Sequence, residues 1–180
     1  MLSAFTIKML NIVNKLFNIL KKDIQDMREY KTPGIPGIGI DRPQIDDPCM
    51  SSEKQAKFRS AIGTMLYLNK HSRPDINNSV RELSKFLNSG TDAHYKQMLR
   101  VGKFIQTTKN IGLKIQPNID KNTPWQMNTY VDSDWGGDKN NRKSVSGWTI
   151  FVNDCLIGWG SRGQKMVALS STEAEYVGVS

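Results

Sequence analysis

Three aspartates, Asp132, Asp134 and Asp138, follow the apolar run Met127–Val131, and Glu175 lies further along the chain. Acids this close together invite a metal. An EF-hand loop needs acidic or amide ligands at alternate positions and a Glu at position twelve. Counted from Asp132, position five is Gly136 and position twelve is Lys143, so that reading is excluded. A polymerase palm with two adjacent aspartates is excluded as well, because Ser133 separates Asp132 from Asp134. A DxD sugar-nucleotide site stays open. So does a two-metal nuclease, in which several carboxylates hold divalent ions about 3.5–4 Å apart. In that case Asp132 at a strand end and Glu175 on a following helix would be the metal ligands, since hard cations take oxygen donors. The plainer alternative, that both are ordinary surface acids, stays open too.

These side chains need elements to hold them. Met127–Val131, Trp148–Val152 and Leu156–Ser161 read as strands, the last two joined by an Asn153-Asp154 hairpin turn. Leu113–Ile115 is a further short strand, and Lys165–Leu169 continues or follows the last of the series. Ser170-Ser171-Thr172-Glu173 carries a capping pattern that opens a helix. Upstream, residues 51–109 read as three helices. The first is capped by Ser51 or Ser52 and runs through Phe58, Ile62 and Met65. The second opens at Ser72-Arg-Pro-Asp75, with Ser72 as cap, and carries Ile76, Val80, Leu83 and Leu87 on one face until Asn88-Ser89-Gly90. The third starts at Thr91 or Asp92 and buries Met98, Val101 and Ile105. Lys31–Met50 holds Pro33, Gly34, Pro36, Gly37, Gly39, Pro43 and Pro48 and reads as a linker. Residues 3–30 read as one or two helices, with Ile12, Leu16, Ile19 and Leu20 at helical spacing. The expected organisation is a helical tail over 1–30, a linker over 31–50, three helices over 51–120 and a strand-rich part over 125–180.

The 180 residues carry a net charge of +8. Residues 61–120 hold +5 of it, 1–60 hold +3 and the final third is neutral, so a phosphate-binding surface would sit in the middle. Ordinary solvated helix faces are the plainer reading of the same charge. Composition excludes collagen, low-complexity disorder and a disulfide scaffold. Cys49 and Cys155 stand alone in the sequence, which argues against a zinc site and for a reducing compartment. No stretch approaches a membrane span. Met1–Lys22 has four lysines and no acid, but it lacks Arg and has little Ser, which argues against an N-terminal targeting peptide.

The stretch Tyr130-VDSDWGGDKNNRKSVSGW-Thr149, continuing to Ile157-GWGSRGQKMVALSSTEAE-Tyr176, closely resembles the ribonuclease H region of copia-type LTR retrotransposon Pol polyproteins. Phe58-RSAIGTMLY-Leu68, Ser72-RPD-Ile76 and Thr91-DAHYKQMLRVGKFIQTTKNIG-Leu113 are similar to the segment between reverse transcriptase and ribonuclease H. Lys31-TPGIP-Gly37 resembles the linker after the polymerase, and residues 1–30 loosely resemble the end of its thumb.

The resemblance implies an α+β chain, with a helical connection segment followed by a truncated ribonuclease H-like domain of three antiparallel strands and the start of its first helix. The parent polyprotein would copy RNA into DNA and cleave the RNA strand of RNA–DNA hybrids. Asp132 and Glu175 match its first two catalytic, Mg²⁺-binding acids, and Asp134 matches less well. Glu173 would be rotated about 200° from Glu175 around the helix. Ser170, Ser171 and Thr172 match a turn that meets the hybrid, and Arg100, Lys103 and Lys109 are candidate nucleic-acid contacts in the basic middle. The implied partners are an RNA–DNA hybrid or other nucleic acid and the rest of the polyprotein, with no membrane. The implied location is cytoplasmic or nuclear, in a virus-like particle for the parent family. The family's later acids fall beyond Ser180, so the isolated chain is expected to be inactive or nearly so. The alternatives are a non-catalytic nucleic-acid-binding protein and a captured secreted or targeted interaction protein.

Overall fold

The computed structural model describes residues 4–35, 40, 42–43, 47–116, 124–138 and 141–180. Pro36, Gly37 and Gly39 of the expected linker lie outside them, as do Lys139 and Asn140 of the quoted motif. The chain forms two compact units, Lys8–Gly112 and Met1–Ile7 with Leu113–Ser180.

The first unit is helical. Its helices are α1 (Leu10–Ile24), α2 (Ser52–His71), α3 (Asn77–Ser84) and α4 (Asp92–Thr107), with a 3₁₀ turn at Pro74–Ile76 before α3. Val13, Leu16, Leu20 and Ile24 fall on one side of α1 at helical spacing and are buried. They share a core with Phe58, Ile62 and Met65 of α2, Val80 and Leu83 of α3, and Met98, Val101 and Ile105 of α4. The tail expected over 1–30 therefore packs with the helices of 51–112, because its apolar stripe has no other cover. Ser51 caps α2, its Oγ accepting from the Lys54 N–H at 3.4 Å. Thr91 caps α4 in a capping box completed by His94, whose Nδ1 accepts from the Thr91 N–H at 3.0 Å.

Ser72 does not cap the start of the second helix. The residue before the 3₁₀ turn is Arg73, and Ser72 instead ends α2, its N–H donating to the Leu68 carbonyl at 3.0 Å. Nor does α3 run to Leu87; it ends at Ser84, and Leu87 still packs against the core from the turns that follow.

Asp23 on α1, Lys57 on α2 and Tyr95 on α4 meet where these helices pack. Lys57 Nζ lies 3.0 Å from Asp23 Oδ2. The hydrogen bond to Asp23 raises the Lys57 ammonium above its ordinary value, and burial raises the Tyr95 phenol above its own. Both shifts act in the same direction on stability. The Lys57 contribution is complete below the unfolded lysine value and is lost as pH rises through the folded one. The unfolded Tyr95 ionises before the folded one, which also favours unfolding once pH passes the ordinary tyrosine value. The urea midpoint of the helical unit should therefore fall above about pH 10. Tyr95→Phe should flatten part of that fall, and an unchanged alkaline branch in this variant would remove Tyr95 from the account.

The second unit holds β1 (Phe5–Ile7) antiparallel to β2 (Leu113–Ile115), and a three-stranded antiparallel sheet of β3 (Met127–Asp134), β4 (Val145–Val152) and β5 (Cys155–Gly163) in that order. Helix α5 (Ser171–Val179) packs on β3 and β4. Phe5–Ile7, expected within a helix, is thus a strand. The three main strands are longer than their apolar runs. Asn153 and Asp154 both have positive φ, 44° and 67°, and close the β4–β5 hairpin as a type I′ turn. Asn153 also receives the Gln126 N–H on its Oδ1 at 3.1 Å and returns its own N–H to the Gln126 carbonyl at 3.0 Å. Lys165–Leu169 follows β5 as a loop. The chain is α+β, as expected.

Gly160 faces Trp148 across the β4–β5 pair. A Cβ at Gly160 would stand 2.6 Å from Cε2 and Cζ2 of the Trp148 indole, a rigid group that cannot bend aside. Gly160→Ala should destabilise this unit by about 1–3 kcal/mol. Gly163, three residues on, would place its Cβ in open space. Gly163→Ala is the matching control, and equal thermal midpoints for the two variants would refute the packing role of Gly160.

Candidate functional site

β3 lies at one edge of the three-stranded sheet. Its alternation puts Val131 and Ser133 on one face and Asp132 and Asp134 on the other. The first face meets α5: a Cβ on Gly178 would overlap Ser133 Oγ and stand 3.3 Å from both Ser146 Oγ and Val131 Cγ1. Gln164, buried between β5 and α5, donates through Nε2 to Ser146 Oγ at 2.9 Å and to the Ala174 carbonyl at 2.8 Å. These contacts fix the helix to the strand.

That docking brings Glu175 to β3. Its Oε1 accepts the backbone N–H of Ser133 at 3.3 Å, one residue from Asp132. Both Asp132 and Glu175 are exposed. Glu175 thus reaches the rim of the sheet at β3, one residue from Asp132, whose side chain leaves the opposite face. Glu173 faces elsewhere, its Oε2 accepting the Leu169 N–H at 2.6 Å, while Ser170 Oγ accepts the Glu173 N–H at 3.1 Å. These two bonds cap α5. Ser170 is therefore occupied as a cap, and Ser171 and Thr172 are exposed in the first turn.

The other two aspartates serve the β3–β4 loop. The Asp134 carbonyl accepts the Gly137 N–H at 3.1 Å, and the Asp134 carboxylate lies where a Gly137 Cβ would be. Asp138 is buried, and its backbone exchanges hydrogen bonds with Lys143 and Arg142 at 3.0 and 2.7 Å. Trp135 anchors the loop by donating through Nε1 to the Ala168 carbonyl at 2.9 Å.

The basic candidates divide. Arg100 is held within the helical unit: Nη2 donates to Thr32 Oγ1 at 3.1 Å and to the Gly34 carbonyl at 3.2 Å, and the guanidinium sits 4.3 Å from the Tyr30 ring centroid. It fastens residues 30–34 to α4. Lys103 is half-buried and Lys109 is exposed just past the end of α4. Among the described residues, no cluster of three or more His, Cys, Asp or Glu is arranged to hold a metal.

No family profile matches the chain, and no solved structure does. Curated sequences do. The Secreted RxLR effector protein 161 of Plasmopara viticola is 35% identical over 127 residues, which cover 71% of this chain and 87% of the effector. The Pol polyprotein of transposon RE1 from Arabidopsis thaliana is 34% identical over 120 residues, and that of transposon TNT 1-94 from Nicotiana tabacum is 32% identical over 120. The chain belongs to the copia-type retrotransposon Pol family. It spans 8% of the length of the RE1 polyprotein and 9% of the TNT 1-94 polyprotein.

Within this Pol segment, sequence reasoning missed the part played by the Arg73 side chain. It is 1% exposed and grips Asp75 with two parallel bonds, Nε to Oδ1 at 2.9 Å and Nη2 to Oδ2 at 2.8 Å. It also donates to Thr108 Oγ1 at 2.7 Å and the Thr108 carbonyl at 3.3 Å, and so ties the α2–α3 connection to the end of α4. The signal was present in Ser72-Arg-Pro-Asp75. An Arg two residues before an Asp at a tight turn can close a fork-to-fork pair.

Proposed function

We propose that this segment supplies part of a ribonuclease H-like site, with Asp132 and Glu175 as metal-binding acids for cleavage of the RNA strand in an RNA–DNA hybrid. The observation that carries the reading is the placement of Glu175 against the Ser133 amide, beside Asp132. The family supports it, since the matched relatives include Pol polyproteins. On this reading residues 125–180 are the N-terminal part of the nuclease domain and residues 51–120 its helical connection to the polymerase.

The donor set suits Mg²⁺ in kind, being two exposed carboxylates with hard oxygens. When bound, the metal would activate water and stabilise the leaving oxygen. The chain's own residues do the positioning. Ser133 N–H holds one Glu175 oxygen, Gln164 holds α5 by its Ala174 carbonyl, and the Ser170–Glu173 cap fixes the first turn. Ser171 and Thr172 present hydroxyls to a hybrid that lies across this rim. Two carboxylates fix few of the six oxygens that Mg²⁺ requires, so the isolated pair binds it weakly.

The test is Mg²⁺-dependent hybrid cleavage by the polyprotein that carries this segment. Glu175→Gln should abolish it, while Glu173→Gln should leave the chemistry and lower stability by about 1 kcal/mol through the weakened cap. Cleavage that survives Glu175→Gln would overturn the assignment.

A second reading rests on the effector relative, of which the chain covers 87%. It is that of a captured segment acting outside the cell without catalysis. Recovery of the tagged chain from the extracellular fraction would favour it, and strict retention in the cell would count against it.

A further inference from the structure

The sequence holds two Thr-Pro pairs, Thr32-Pro33 and Thr123-Pro124, and Thr123 lies outside the described residues. Thr32 is exposed, and among the described residues from Gln25 to Pro48 none is in a helix or strand. Pro33 has a fixed φ and no N–H, and it biases Thr32 toward extended backbone. The Thr32 hydroxyl has two partners. Its Oγ1 donates to the Gly34 carbonyl at 2.8 Å and accepts from Arg100 Nη2 at 3.1 Å. Two further contacts steady Arg100: Nη2 also donates to the Gly34 carbonyl at 3.2 Å, and Cζ lies 4.3 Å from the Tyr30 ring centroid. Arg100 Nε is buried and, among the described residues, has no hydrogen-bond partner. Nε and Nη2 form one edge of a guanidinium, the edge with which Arg73 grips Asp75. On Arg100, half of that edge touches Thr32 Oγ1 and the other half is an unused donor. A buried donor without an acceptor is costly, and an oxyanion carried on Thr32 would satisfy it.

We propose that Thr32 is a phosphorylation site for a proline-directed serine/threonine kinase, and that Arg100 receives the phosphate. In the transfer, Thr32 Oγ1 attacks the γ-phosphorus of ATP and gives its proton to the kinase's base. The bond from that phosphorus to the β–γ bridging oxygen breaks, and ADP leaves. The product carries about −1.5 to −2 charge at pH 7 and three acceptor oxygens. Two of these oxygens suit the Nε–Nη2 edge of Arg100, because that fork matches phosphate geometry. The surroundings favour the added charge. Lys31 is the adjacent residue in the chain, and Arg28 Cζ lies 5.4 Å from the centroid of the same Tyr30 ring. Asp26 and Glu29 are the nearest acids in sequence. The ester oxygen no longer donates to Gly34, but Arg100 Nη2 keeps that carbonyl as an acceptor. Phosphorylation thus exchanges one neutral hydrogen bond for charge-assisted ones and tightens residues 30–34 on α4. All the groups involved belong to the helical unit, so the inference does not rest on the nuclease reading.

The test uses the full 180-residue chain, ATP and a cyclin-dependent kinase, with the phosphate located by tandem mass spectrometry. Thr32 should be modified. Thr32→Val should remove that phosphate, and Thr123→Val should leave it in place. The phosphorylated chain should melt about 4 °C or more above the unmodified one, followed by helical circular dichroism. In ¹⁵N-edited spectra the Arg100 Nε–H proton should move downfield on phosphorylation, as a donor does when it gains an acceptor. Arg100→Lys keeps the charge but lacks the fork, so its gain in midpoint on phosphorylation should fall by at least about half. Each variant is compared with its own unphosphorylated form, which cancels any loss of stability from the substitution itself. Absence of phosphate on Thr32, under conditions that fully modify a Thr-Pro reference peptide, would overturn the site. A phosphorylated chain with an unchanged or lower midpoint, or with an Arg100 Nε–H that does not move, would overturn the part given to Arg100. None of these readouts involves Asp132 or Glu175, so failure of the nuclease reading and failure of this one give different results.

Discussion

On the proposed assignment of Asp132 as a metal-binding acid, Asp132→Asn should reduce Mg²⁺-dependent hybrid cleavage by a polyprotein carrying this segment by about 10³-fold or more. The same change at Asp134, two residues along the same face, should cost far less. The difference follows from what each carboxylate touches. Asp134 closes its own turn, with its carbonyl on the Gly137 N–H and its carboxylate packed over Gly137. Asp132 is exposed next to the residue whose amide holds Glu175. A second measurement needs no turnover. Mn²⁺ added to the 180-residue chain should broaden the amide signals around Ser133, and Asp132→Asn should remove that broadening. Equal losses of cleavage at Asp132 and Asp134, or broadening that persists in Asp132→Asn, would remove Asp132 from its assigned role.

The features that the chain announces in advance are those set by neighbours in sequence. Asn153-Asp154 reads as a turn because both residues tolerate positive φ, and the two-residue loop then fixes the register of β4 against β5. Ser170 reads as a cap because Glu173 stands three residues on. The helices of 51–109 show in their apolar spacing, although the Pro74 turn shifts where the second begins.

Features made by distant residues were not legible. Phe5 pairs with Ile115, and three residues of alternation cannot distinguish such a strand from the start of α1. Arg100 looked like a surface cation because its partners, Tyr30, Thr32 and Gly34, are far away in sequence. The carboxylates of the candidate site are singled out by residue type, spacing and the family resemblance, but the amide that meets Glu175 depends on how α5 lies across β3, which no local pattern encodes.

The Arg73–Asp75 pair should show an asymmetry that local sequence would not suggest. Asp75→Ala leaves a guanidinium that is 1% exposed with Thr108 and the face of Phe104, 5.6 Å from the ring centroid, in place of a counter-ion. A buried cation without its partner costs about 3–5 kcal/mol. Arg73→Met leaves Asp75, whose side chain is already 35% exposed and can be hydrated where it stands. Methionine also fills much of the vacated space, so the loss should be nearer 2–3 kcal/mol, mostly the hydrogen bonds to Thr108 and Asp75. The double variant should be less destabilised than the sum, since removing the arginine also removes the charge that Asp75→Ala strands. For a unit of this size, each kcal/mol moves the midpoint by about 4–8 °C, so the three variants separate clearly in thermal and urea unfolding followed by helical circular dichroism. If Arg73→Met proves the more damaging single change, or the two changes add, the guanidinium is not confined as described and must reach water when Asp75 is removed.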